Sequence, residues 1–208
     1  LEELDVRVGS MVRVSKRGDI IPKIEKVVDV GDGPRVKLLG RCPSCDTKTK
    51  ITKTRSKLYC PNFVCPALIP HRVAKWISTL EVKFFGEELI KAFVEKKKPT
   101  FVYELYDLTA KEMSEWSLSE KKVGMLTATK VLKDLRAASV DLPLDKFLGG
   151  FDIPSIGKRV FQFAIKEGHD LESLRKAEEE ELAKIKNLGP KRGKFMVEGL
   201  ERLSDEID

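Results

Sequence analysis

Histidine is almost missing from this chain of 208 residues, which has two, and only four cysteines, two tryptophans and three tyrosines are present. With His71 and His169 as the only imidazoles, no Ser/His/Asp set or carboxylate pair stands out, and no catalytic residue is assigned. No apolar run approaches the twenty residues of a membrane span, and no charged-then-apolar leader opens the sequence. The expectation is an intracellular protein that is neither secreted nor membrane-bound. Stacking aromatics do not punctuate the basic segments, which disfavours a reader of single-stranded RNA.

What is present centres on the cysteines. Cys42, Cys45, Cys60 and Cys65 follow the spacing C-x2-C-x14-C-x4-C. Two tight knuckles, Cys-Pro-Ser-Cys and Cys-Pro-Asn-Phe-Val-Cys, each bring two sulfurs over a short turn, and proline suits such turns. Four thiolates complete a tetrahedral shell around Zn2+ and leave no position for water, so the site predicted is structural. Lys48, Lys50, Lys53, Arg55 and Lys57 lie around the knuckles, where cations favour the thiolate form. His71 reads as a surface or capping residue rather than a metal ligand in place of one thiol.

Charge is uneven. Residues 1–60 hold 14 Lys/Arg against 8 Asp/Glu, whereas residues 61–208 hold 25 of each, so the first third carries the whole excess of +6. A basic end on a neutral body suggests a polyanionic partner such as nucleic acid. In that basic end, Val6 and Val8, Val12 to Val14, Ile20 to Val30 and Val36 to Leu39 read as short strands parted by glycine turns. Three or four strands bury little, so they are expected to form part of a small barrel.

From Val73 onward the apolar period becomes helical, as in Val73, Trp76, Ile77 and Leu80. One unit recurs there, an apolar residue, a short turn and an amphipathic helix. Its copies begin at Val82-Lys83-Phe84-Phe85-Gly86, Trp116-Ser117-Leu118-Ser119, Ile153-Pro154-Ser155-Ile156-Gly157 and Ile185-Lys186-Asn187-Leu188-Gly189. Glycine permits a sharp turn, after which the next helix offers unbonded N–H groups and its positive dipole end to an anion. Copies three and four add Lys158 and Arg159, and Lys191 and Arg192, in the first helical turn. Cations there oppose the helix dipole, a cost that a bound phosphate would remove. Copy two, with Ser117 and Ser119 for glycine and Glu120 at the expected helix start, reads as structural. Phe84 and Phe85 of copy one are expected to pack in a core.

Taken in order, barrel strands with Arg17-Gly18-Asp19-Ile20-Ile21-Pro22-Lys23, a four-cysteine knuckle pair and four helix-hairpin-helix units, the chain resembles the C-terminal half of NAD-dependent DNA ligases. Ser117, Ser119, Phe84 and Asn187 depart from that family's glycines. The resemblance implies a multidomain α+β protein: an incomplete OB-fold β-barrel over residues 1–40, a small four-cysteine zinc finger over 41–66 and an all-α helix-hairpin-helix domain over 67–208. It implies DNA contacts at Lys16, Arg17, Ile20 and Ile21 of the barrel, and at Ile156, Gly157, Lys158, Arg159, Leu188, Gly189, Lys191 and Arg192 of the hairpins.

In that family an N-terminal adenylation domain with a K-x-D-G lysine takes AMP from NAD, with Mg2+, and passes it to the 5′-phosphate of a nick. No K-x-D-G occurs here. The implied chain is therefore a ligase fragment, inactive alone, that helps encircle nicked duplex DNA in replication and repair. The alternative is a stand-alone, non-catalytic adaptor for nicked or branched DNA.

Overall fold

A computed structural model describes residues 4–18, 20–52, 57–62, 64–119 and 121–207, with the side chain of Arg17 outside that description. The chain divides into two compact units, Leu1–Pro61 and Asn62–Asp208. Together they make a mixed α+β protein with small sheets and, among the described residues, no closed barrel.

The first unit is built on one antiparallel ribbon. Strands β1 (Met11–Arg17) and β2 (Ile21–Asp29) pair from Arg17 with Ile21 to Met11 with Asp29, with irregularities after Met11 and Arg13. The flanking segments meet at a single bridge between Arg7 and Arg35, supported by Val8 N–H to Pro34 O and Val36 N–H to Val6 O. The segments predicted as strands at Val6 to Val8 and Val36 to Leu39 are thus bridge and coil. Gly33 lies so close to Val8 that a Cβ would meet the Val8 carbonyl oxygen at 2.4 Å. A second ribbon, β3 (Lys50–Ile51) with β4 (Leu58–Tyr59), follows. Among the described residues of this unit, the buried core holds only Cys42. So little burial cannot by itself offset chain entropy.

The second unit is helical: α1 (Ile69–Leu80), α2 (Glu87–Lys97), a 3-10 helix (Val102–Asp107), α3 (Ala110–Ser114), α4 (Met125–Ala137), α5 (Leu144–Gly150), α6 (Lys158–Lys166), α7 (Leu171–Lys176), α8 (Glu179–Lys184), α9 (Gly189–Arg202) and α10 (Ser204–Ile207). Consecutive helices pack as pairs, α1 with α2, α3 with α4, α5 with α6 and α8 with α9. Their burial follows the amphipathic pattern. Helix α1 buries Ile69, Val73, Trp76, Ile77 and Leu80 on one stripe, and α6 buries Val160, Phe161 and Ala164. Helix α9 approaches α8 closely at Gly193, where a Cβ would lie 3.0 Å from the Glu179 carbonyl.

Two polar devices fix parts of this unit. Arg72 of α1 forms a buried ion pair with Glu206 of α10, and Glu206 also accepts the Val102 N–H at 2.6 Å. The Asp170 carboxylate caps α7 by accepting the Ser173 N–H at 2.8 Å. The backbone and hydroxyl hydrogen bonds from Ser173 hold that carboxyl below its usual range. Among the described residues no helix is long and apolar enough to cross a membrane.

Candidate metal centre and nucleic-acid interface

The knuckles fold by short backbone bonds. Cys42 N–H donates to Thr47 O and Asp46 N–H to Cys42 O, while Cys65 N–H donates to Asn62 O and Leu68 N–H to Cys65 O. Asp46 adopts a positive φ of 55° at the first turn. These turns bring all four cysteine sulfurs within 4.8 Å of one another, with Cys42 and Cys65 buried. Zn–S bonds of about 2.3 Å would set tetrahedral sulfurs about 3.8 Å apart. The Cys45 and Cys60 sulfurs are 3.5 Å apart, far beyond the ~2.05 Å of a disulfide bond. The cluster can therefore hold a metal ion, and four sulfur donors leave no open coordination position for chemistry. Lys53 and Arg55 of the predicted cationic surround lie outside the described residues, and His71 is an exposed residue of α1.

Between each pair of packed helices lies a turn, and three of the four turn segments read from the sequence stand directly before a helix. Helices α2, α6 and α9 start at or just after Gly86, Gly157 and Gly189. Two residues before each glycine the chain enters the left-handed region, at Phe84 (φ 62°), Ser155 (φ 64°) and Asn187 (φ 69°). The side chain between is buried in every case, Phe85 at 4%, Ile156 at 3% and Leu188 at 4% exposure. Those apolar residues lock the turn onto the core. Ile156 and Leu188, expected from the sequence to contact DNA, have side chains packed in the core, where an apolar group entering a helix gains most. Phe84, expected in a core, is instead 57% exposed beneath the ammonium of Lys130, 3.9 Å from its ring centre.

Hairpin two lies elsewhere than predicted. Ser117 bridges to Lys122, Leu118 N–H donates to Lys121 O and Val123 N–H to Trp116 O, closing a small extra loop. The turn proper is Val123-Gly124, with Val123 buried and Gly124 at φ +74°, and α4 starts at Met125. Ser117 and Ser119 therefore replace no glycine, and Glu120 lies outside the described residues. The sequence signal for the true turn is the Val-Gly step before an amphipathic run.

The cations of hairpins three and four stand at their helix starts. Lys158 and Arg159 open α6, and Lys191 and Arg192 follow Pro190 in α9, with no acid in either first turn. Arg192 donates to its own turn at the Asn187 carbonyl, 2.9 Å away. Neither helix has a side-chain hydrogen bond at its N-cap; within the first turn of α6 the Val160 N–H donates to Gly157 O at 2.8 Å. On the ribbon, Lys16 is exposed. Ile20 and Ile21 are 80% and 69% exposed. Alternation predicts one of that pair inward; both are outward because the end of a two-stranded ribbon has no covered face. Arg17 is described only as strand backbone.

No protein-family model matches the chain. Curated bacterial proteins named DNA ligase do match. The chain is 35% identical to the DNA ligase of Treponema denticola over 209 residues and 36% identical to that of Treponema pallidum over 209 residues, covering all of this chain in each. It is 32% identical to the DNA ligase of Sorangium cellulosum over 208 residues, again all of this chain. It spans 31%, 24% and 30% of those three proteins. Along its whole length, the chain is a relative of one portion of the bacterial proteins named DNA ligase.

Proposed function

We propose that the chain is the DNA-gripping portion of an NAD-dependent DNA ligase. Hairpins three and four hold the sugar-phosphate backbone of a nicked duplex, and the β1–β2 ribbon completes an OB-fold barrel with further strands and lays Lys16, Ile20 and Ile21 along the minor groove. Cys42, Cys45, Cys60 and Cys65 hold a structural Zn2+ that orders the knuckles. Transfer of AMP from NAD, with Mg2+, belongs to an adenylation domain of the same ligase. The residues here contribute position: first-turn amides and four cations fix the duplex so that 3′-OH and adenylylated 5′-phosphate meet. By itself the chain seals no nick, and the intact ligase serves replication and repair.

One observation carries this reading. Gly157 has φ −130° and ψ −177°, which any residue adopts, and a Cβ there would meet nothing within 4 Å. The fold does not require glycine, and Ser or Asp would cap α6 better. A bare backbone beside Lys158 and Arg159 suits close approach by a phosphate.

Titration of labelled nicked duplex at several salt concentrations tests it. Replacing both Lys191 and Arg192 by Ala should weaken binding to all sequences alike and make the salt slope shallower by about 2, near 0.9 per lost phosphate contact. An unchanged slope, or a new sequence preference, would contradict backbone gripping.

A further inference from the structure

The four hairpins differ in chemistry at one equivalent position. Two residues after the turn glycine stand Glu88, Leu126, Arg159 and Lys191. The last two are cations. Glu88 accepts a hydrogen bond from Ser119 Oγ and would repel a phosphate. Leu126 is 90% exposed, the highest value among the exposed large hydrophobic side chains described, and Met125 beside it is 51% exposed.

The fold does not use this pair. Helix α4 buries Ala128, Val131, Leu132 and Leu135 on its other side. A Cβ on Gly124 before it would meet nothing within 4 Å, and among the described residues the two side chains stand open. Cations surround it: Lys121 and Lys122 precede the turn, and Lys130 lies four residues beyond Leu126 on the same helix face. Among the described residues, the Asp134 carboxylate accepts the Lys83 N–H at 2.5 Å and Glu115 accepts from Lys122 at 2.7 Å, a bond that keeps the Glu115 carboxyl below its usual range.

An apolar point in a cationic frame fits a polyanion with an apolar interior. A stable protein partner needs about 800 Å2 on each side, more than two side chains at a tip supply. A wedge between stacked base pairs needs only one or two apolar side chains, and minor-groove proteins insert Leu or Met in this way. We infer that Leu126, backed by Met125, wedges into the minor groove of the bound duplex and unstacks a base step while Lys130 meets the flanking backbone. This rests on the DNA-gripping reading above. Hairpins three and four supply salt-dependent hold, and hairpin two supplies local deformation.

The full chain is titrated with nicked duplexes carrying 2-aminopurine at single positions. Binding should brighten the probe at one or two steps only. Leu126→Ala should abolish that signal and weaken affinity about tenfold, as loss of one buried apolar side chain implies, with the salt slope unchanged. The Lys191→Ala, Arg192→Ala chain should flatten the slope yet still brighten the probe at saturation. Tight binding without a brightened step overturns the wedge alone. So does a Leu126→Ala chain that binds as the parent does, which leaves the tip to a protein contact, or a Leu126→Lys chain that binds more tightly with the signal intact. Failure of the parent to bind any duplex removes both readings.

Discussion

Replacing Gly157 by Ala should make the protein more stable and a poorer DNA binder. At φ −130° and ψ −177° an alanine is unstrained, and its Cβ would have no neighbour within 4 Å. The substitution stiffens the unfolded chain and stabilises the fold by about 0.4–1 kcal/mol. In the complex the same methyl stands where a phosphate must approach the first-turn amides of α6. Loss of one charge-assisted hydrogen bond costs about 1.5–3 kcal/mol, or about 10- to 150-fold in affinity. Urea denaturation followed by tryptophan fluorescence measures the first effect, and fluorescence anisotropy with nicked duplex the second. Two other hairpins act as controls. Gly86→Ala has the same open, extended backbone but leads into Glu87 and Glu88, so it should gain stability and lose no affinity. Gly189 sits at φ +69°, where alanine is strained by roughly 1–2 kcal/mol, so Gly189→Ala should lower both. A Gly157→Ala chain that is destabilised, or that binds DNA as before, refutes the assignment of that backbone to a phosphate.

Local signals carry much of the architecture. The change from β to helical period places α1, α2, α6 and α9, because an amphipathic stripe must face a core wherever it lies. Cysteine spacing anticipates the four-sulfur cluster for a similar reason, since two short knuckles fix sulfur pairs before tertiary structure does. Hairpin two is displaced from its predicted place because serine, a common turn residue, fills the extra loop at Ser117 to Ser119 and masks the turn at Val123-Gly124. The burial of Ile156 and Leu188 is not legible in sequence, since a lone apolar residue in a turn has no period to show which way it points. Nor is the pairing of Arg72 with Glu206, which are 134 positions apart and leave no local pattern. The exposure of Ile20 and Ile21 follows from a ribbon without a covering layer, a property of neighbours rather than of the strand.

Two predictions concern the cysteine cluster and the buried ion pair. Cys42→Ser or Cys65→Ser should abolish tight metal binding, measured as zinc per chain by elemental analysis; retention of a full equivalent would show that the cluster is not a four-thiolate site. A chelator should disorder the knuckles while helical circular dichroism persists, because the helical unit has its own core. In that core Arg72 and Glu206 are each 2% exposed at the side chain. Glu206→Ala leaves the guanidinium without this carboxylate and the Val102 N–H without its acceptor, a loss of about 3–5 kcal/mol by urea denaturation. The ion pair itself need not be a net gain, because burying both charges costs nearly what their attraction returns. Replacing both, Arg72→Met with Glu206→Leu, should therefore recover most of the stability that the single change removes. If the single change costs less than about 1 kcal/mol, water reaches the pair and the site is not a buried one. If the double change is no better than the single, the penalty lies in the lost contact at Val102 and in packing of the last helix, and the charge at Arg72 is not what the carboxylate is there to satisfy.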